Sequence, residues 1–152
     1  MKPPRFLGRL VYFFGYPLFR ILIRNTVRAY VVVVYNDKIL LTKNWLGFQR
    51  KWRLAGGGVH AGEDIRLAAQ RELFEEVGLI ADIGELKSLS EDPLKAVFHY
   101  QYHLFLYNPD KEQLVVCDER EILEAKFVAK QDISGLLLGE EAEMALRLLG
   151  WS

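Results

Sequence analysis

The stretch from Gly57 to Leu79 constrains this chain more than any other. It reads Gly57-x5-Glu63-x7-Arg71-Glu72-Leu73-x-Glu75-Glu76-x-Gly78-Leu79. Gly56, Gly57 and Gly58 let the backbone bend sharply, and a helix is expected to start near Glu63 or Asp64 and to stop at Gly78. With Glu72 taken as the origin at about 100° per residue, Glu75 falls at about −60° and Glu76 at about +40°. Three carboxylates thus share an arc of about 100°. Ile65, Ala68 and Ala69 fall on the same side and leave room beside the acids, whereas Leu67, Leu73, Phe74 and Val77 are expected to form an opposite, core-facing side.

As pure structure, three neighbouring like charges are a liability. They become favourable around a hard divalent cation, because Mg²⁺ and Mn²⁺ prefer oxygen ligands. Arg71 precedes Glu75 by one helical turn and can pair with it, while Glu63 sits at the loop-helix junction where folding brings it near the same centre. A run of acids on a helix is usually a solvated face. Here nine positions are fixed at set spacings, and a chance match of about one in ten at each gives roughly one in a billion per start position. The solvated-face reading does not survive that arithmetic.

The pattern resembles the signature of the Nudix hydrolases, and every defining position is present. Trp52-Arg53-Leu54-Ala55-Gly56-Gly57-Gly58 also resembles the strand-into-loop lead of that family. The resemblance covers Thr26 to Gly150. It implies an α/β (α+β) fold, an α/β/α sandwich with a mixed β-sheet. It also implies Mg²⁺- or Mn²⁺-dependent hydrolysis of a phosphoanhydride bond in a nucleoside diphosphate linked to another moiety. Matched to the motif, Glu72, Glu75 and Glu76 take the metal, with the backbone carbonyl of Gly56 as a further ligand. Glu75 or Glu72 acts as base, Arg71 orients a glutamate, and Gly57, Glu63 and Gly78 support the motif. The family recruits one more glutamate from outside the box; Glu121 is the choice here, with Glu119 and Glu124 in reserve. Ala55 stands where the family often has proline, which removes a restraint from the loop.

Around the motif, the β-branched and aromatic run from Thr26 to Tyr35 reads as a buried strand, Asn36-Asp37 as a turn, and Lys38 to Lys43 as the returning strand. Residues 44 to 51 read as a loop. Further strands are expected at Trp52 to Ala55, near 80 to 90, near 97 to 107 and at Glu124 to Ala129, with a final amphipathic helix over Glu140 to Leu149. In the strand near 97 to 107, His99, Gln101 and His103 are expected on a solvent-facing side opposite Phe98, Tyr100, Tyr102 and Leu104. Substrate choice must come from outside the box. Arg28 could meet a phosphate and Tyr30 a base, sharing one strand face, and Arg53 and Phe48 are further binding candidates.

A chain of 152 residues, 51% hydrophobic and 26% charged, fits one globular domain over residues 26–152. A lone cysteine, Cys117, excludes a disulfide framework and points to a reducing cytoplasm. The zero net charge hides a split. Lys2, Arg5, Arg9, Arg20, Arg24 and Arg28 precede the first acid, Asp37. Residues 1–25 form a basic, aromatic extension, interrupted by Arg20 and Pro17, and too short in its apolar runs to span a membrane. It reads either as a segment folded against the domain or as a peripheral membrane contact through residues 1–24. No nucleic-acid module is present, so the expected partner is a small nucleotide diphosphate, and a homodimer is the commonest oligomer for such a chain. Two other readings compete: a non-catalytic nucleotide-binding module, and a membrane-surface hydrolase of a lipid-linked diphosphate. The first would ordinarily have lost a box glutamate or Arg71, and none is lost.

Overall fold

The computed structural model describes residues 26–45, 51–97 and 99–151. The β-branched run forms β1, Val27–Tyr35, as its composition dictates. Asn36 and Asp37 take positive φ (47° and 56°), closing a tight turn into β2, Lys38–Asn44. Past the hairpin end, where Val34 faces Ile39, β1 changes neighbours. Its first half pairs antiparallel with β3, Ala55–Gly58, from Arg28–Gly58 to Val31–Ala55. Its other edge pairs in parallel with β6, Gln101–Tyr107. β7, Ile122–Ala129, runs antiparallel to β2. Short β4 (Lys87–Ser88) and β5 (Leu94–Lys95) border β6. The main path across this mixed sheet is β4-β6-β1-β2-β7.

Alternation along β1 divides the core in two. Ala29, Val31 and Val33 face α1, Ile65–Val77, which buries Ala68, Ala69, Leu73 and Val77 against them. Tyr30 and Val32 face the other way, onto α2, Glu140–Leu148, through Ala142, Ala145 and Leu146. One helix on each face of a mixed sheet is the expected α/β/α sandwich.

Three local expectations need correcting. The first concerns α1. Leu67 and Phe74 are 44% and 56% exposed, while Glu76 is 6% exposed in the middle of the buried stripe. Glu72 and Glu76 therefore share a side with the core contacts, while Glu75 stays exposed. The small Ala68 and Ala69 let the helix lie close on β1 and β3, and that seating carries Glu72 and Glu76 inward too.

Second, the glycines are not a bend after a strand. They are the strand, and Trp52 and Arg53 hold only isolated bridges to Leu138 and Thr42. Third, the chain from 80 to 100 is broken. Asp82 and Glu85 form a capping box on a 3₁₀ turn, Ile83–Glu85, and Pro93 and a tight turn with His99 at φ 60° confine the strands to short pieces. On β6, Gln101 is exposed, as is His99 just before the strand, while His103, opposite Ala29 and stacked on the Phe105 ring, is partly covered on the α1 side. Residues 1–25 and Phe48 lie outside the described residues. Among the described residues, no helix is long and apolar enough to cross a membrane.

Candidate active site

The carboxylate helix is fixed at both ends. The Asp64 side chain accepts from the Arg66 and Leu67 amides at 2.9 and 3.2 Å, and Gly78 closes the helix at φ 70°, its N–H donating to the Phe74 carbonyl. Between these caps, α1 lies against β3 so closely that Gly57 admits no side chain. A Cβ there would stand 2.5 Å from the Glu72 carboxylate.

Gly56 does the same on two sides. Its N–H donates to Glu76 Oε2 at 2.9 Å, and its φ of 148° and the nearness of the Tyr30 ring exclude a larger residue.

Arg71 gathers the acids. Its Nε and Nη2 donate to the two oxygens of Glu63 at 2.8 and 3.0 Å, and Nη2 also reaches the Gly58 carbonyl at 2.9 Å. Nη1 donates to Glu72 Oε1 at 2.8 Å and to Glu75 Oε2 at 3.2 Å. One guanidinium thus ties the loop after β3 to two turns of α1. Its hydrogen bond to Glu63, helped by the His60 amide, holds that carboxyl down at about 2. Glu76 differs. Burial, with the charges of Glu72 and Glu121, pushes its carboxyl up to about 8, although the Gly56 N–H favours the anion.

Glu121 approaches from another element. The Val116 and Asp118 amides donate to the carbonyls of Val77 and Glu76, docking the segment before β7 onto the end of α1. Glu121 follows on a turn, exposed, with its charge felt at Glu76. Of the reserves, Glu124 is engaged with Lys43 and Lys126 at 3.5 and 3.9 Å, and Glu119 is exposed.

Arg28, Tyr30 and Arg53 collect on the opposite face of β1. Arg28 sits 5.8 Å from the Tyr30 ring centroid and 5.6 Å from that of Tyr100. Arg53 pairs with Glu141, Nε to Oε1 at 2.9 Å and Nη2 to Oε2 at 3.3 Å. Burial opposes the Arg53 charge, but the Glu141 carboxylate outweighs it and holds the guanidinium more firmly protonated than usual. Sequence reading missed Glu141. Its signal was a carboxylate inside the apolar stripe of α2 with Ala142, Ala145 and Leu146.

The donor chemistry fits a hard divalent cation. Glu76 is a buried carboxylate with one N–H partner and two negative neighbours, and a cation would relieve both its burial and their repulsion. Among the described residues, no three acidic, histidine or cysteine side chains already converge as a cation cage. Arg71 holds Glu72 and Glu75 next to each other.

Fold and site together define a class: a sandwich whose acidic helix seats on a glycine strand and gathers hard oxygen donors there. The model of the NUDIX domain matches residues 25–148, and the chain belongs to that family. It is 45% identical over 62 residues to an oxidized purine nucleoside triphosphate hydrolase of Danio rerio, covering 38% of this chain and 40% of that one. It is 46% identical over 41 residues to an RNA pyrophosphohydrolase of Roseobacter denitrificans, covering 27% of this chain and 26% of the other. The chain thus matches less than half the length of either curated relative. In three dimensions it resembles a bifunctional NMN adenylyltransferase/ADP ribose pyrophosphatase from Francisella tularensis, solved with AMP and a manganese ion. The TM-score is 0.74 at 20% identity, over 91% of this chain and 46% of that one.

Proposed function

We propose that this chain hydrolyses a phosphoanhydride bond in a nucleotide-derived substrate, using Mg²⁺ or Mn²⁺. One observation carries the reading: Glu72 and Glu76 of α1 lie against Gly57 and Gly56 of β3, and Arg71 ties Glu75 in beside Glu72. Glu72, Glu75 and Glu76 hold the cations, with the Gly56 carbonyl and Glu121 completing the donor set. When bound, such cations neutralise phosphate charge, polarise the phosphoryl group and lower the pKa of water.

The chain's own groups do the rest. Side-chain exposure separates the acids: Glu75 is 56% open and Glu72 15%, so Glu75 is the better placed to take a proton from water, with Glu72 the alternative. Arg71 keeps both oriented. Gly57 leaves room for Glu72, and Glu63 anchors Arg71. On the far side of β1, Arg28, Tyr30 and Arg53 hold the nucleotide portion, with Phe48 assigned to the same role.

The names of the relatives support a nucleotide pyrophosphate and differ on what it is attached to. A panel of ADP-ribose, an oxidised purine nucleoside triphosphate and a 5′-triphosphorylated RNA, assayed for phosphate or pyrophosphate release with Mg²⁺, Mn²⁺ or EDTA, tests the reading. Metal-dependent turnover of at least one member is expected. No turnover with any member would favour a binding module instead.

A further inference from the structure

The Arg53–Glu141 pair is buried unevenly. The Glu141 side chain is 1% exposed and that of Arg53 is 39% exposed. The carboxylate is sealed beneath the sheet while the cation reaches outward. Glu141 binds through Nε and Nη2, so Nη1 takes no part in the pair.

Next to it are the buried polar atoms Arg28 Nε and Tyr102 OH, which have no hydrogen bond, and Tyr30 OH, which lies near the Tyr100 hydroxyl. The Tyr30 and Tyr102 rings meet edge to face at 6.0 Å. All three atoms can donate, and buried donors ordinarily find partners. The Arg28 and Arg53 guanidiniums sit beside Glu141, with the charges of Glu76 felt at Arg28 and of Glu140 at Tyr102. This cluster abuts the acidic site through Gly56, whose missing side chain admits the Tyr30 ring and whose N–H binds Glu76. A ligand that satisfies such donors is rich in acceptor oxygens, and one that meets the outward guanidinium of Arg53 is negatively charged.

We propose that Glu141 is a positioning residue for substrate recognition. Its sealed carboxylate fixes Arg53 so that the guanidinium presents its outer edge to an anionic, oxygen-rich portion of the nucleotide. A free arginine surrenders rotamer freedom when it takes a ligand; one already held by a buried carboxylate has surrendered it on folding. The inference rests on the phosphoanhydride reading above, and the competing view is that the pair merely ties the end of β2's neighbouring loop to α2.

The test uses the full chain with AMP as the binding probe, by calorimetry in EDTA, and ADP-ribose as the kinetic probe with Mg²⁺. Glu141→Gln and Arg53→Gln are each expected to weaken AMP binding about tenfold, the scale of one charge-assisted hydrogen bond. The double variant should be no worse than either single, since both act through one guanidinium. KM for ADP-ribose should rise by a similar factor while kcat stays within about twofold. Should Glu141→Gln fail to fold, Arg53→Lys keeps the charge and loses the fork, and must still weaken AMP binding. Unchanged affinity in the folded variants, losses that multiply in the double, or no AMP binding by the unmodified chain would each overturn the proposal. Binding of AMP through this pair without hydrolysis of any panel member overturns the catalytic reading and supports the pair. Turnover with unaltered variants overturns the pair alone.

Discussion

The Glu72 carboxylate occupies the space that any side chain at Gly57 would need, with all three of its carboxyl atoms 2.5 Å from where a Cβ would lie. Glycine at position 57 is therefore a condition for the acidic helix to reach the strand. Gly57→Ala should push Glu72 away, since the alternative is to move the backbone of β3. The expected result is a drop in kcat/KM of at least about tenfold and weaker Mn²⁺ binding by electron paramagnetic resonance, because misplaced ligands and catalytic groups are costly. Unchanged manganese affinity would contradict the role given to this contact.

Arg71 spans Glu63, Glu72, Glu75 and the Gly58 carbonyl, and no lysine can serve that many acceptors in one plane. Arg71→Lys should lower activity about 10–100-fold, the usual cost of losing a group that orients metal ligands. Steady-state kinetics across a Mg²⁺ titration checks it, and full activity at every Mg²⁺ concentration would count against the assignment.

The Glu63 carboxyl, ordinarily near 4.5, is held at about 2 in the folded chain by Arg71 and the His60 amide. A depressed folded value adds stability that is complete above the unfolded value and disappears as pH falls through the folded one. The gap in Tm between the unmodified chain and Glu63→Gln should hold from neutral pH to about 5, then close between about 4.5 and 2. A gap that does not narrow over that window would remove the pairing as a source of stability.

The seating of α1 makes a mutational contrast. Leu73 is fully buried and Leu67 is 44% exposed, although both were expected on one core-facing side. Leu73→Ala should cost about 2–5 kcal/mol and Leu67→Ala no more than about 0.5 kcal/mol. Equal losses in urea denaturation would restore the side that the helical wheel suggests.

That contrast also shows what the sequence could and could not tell. The helix bounds, its caps and its acids were legible because Asp64, Gly78 and the glutamate spacing are local signals. Which way the helix faces was not. Hydrophobicity pointed to Leu67 and Phe74, but the deciding factor was the close approach that Ala68, Ala69 and the bare backbone of Gly56 and Gly57 permit, a property of two elements together. Glu121 was chosen by position in a matched segment, and the structure brings its charge to Glu76 only because the Asp118 amide docks that segment on α1. Glu141 was hidden for the opposite reason. Its partner Arg53 lies 88 residues earlier, and no local pattern carries such a pairing. Between 80 and 100, apolar residues suggested long strands, and the Asp82–Glu85 capping box and Pro93 broke them up.

The central claim is that the buried and exposed acids of α1 act through a divalent cation on a nucleotide phosphoanhydride. The most direct measurement is hydrolysis across the substrate panel by the unmodified chain, Glu75→Gln and Glu76→Gln, each with Mg²⁺ and with EDTA. The account predicts turnover of at least one substrate that EDTA abolishes, and a fall in kcat of about 10³-fold or more in either variant with the Tm little changed, since neutralising phosphate charge is a large catalytic contribution. Full activity in EDTA, or in both folded variants, would contradict it.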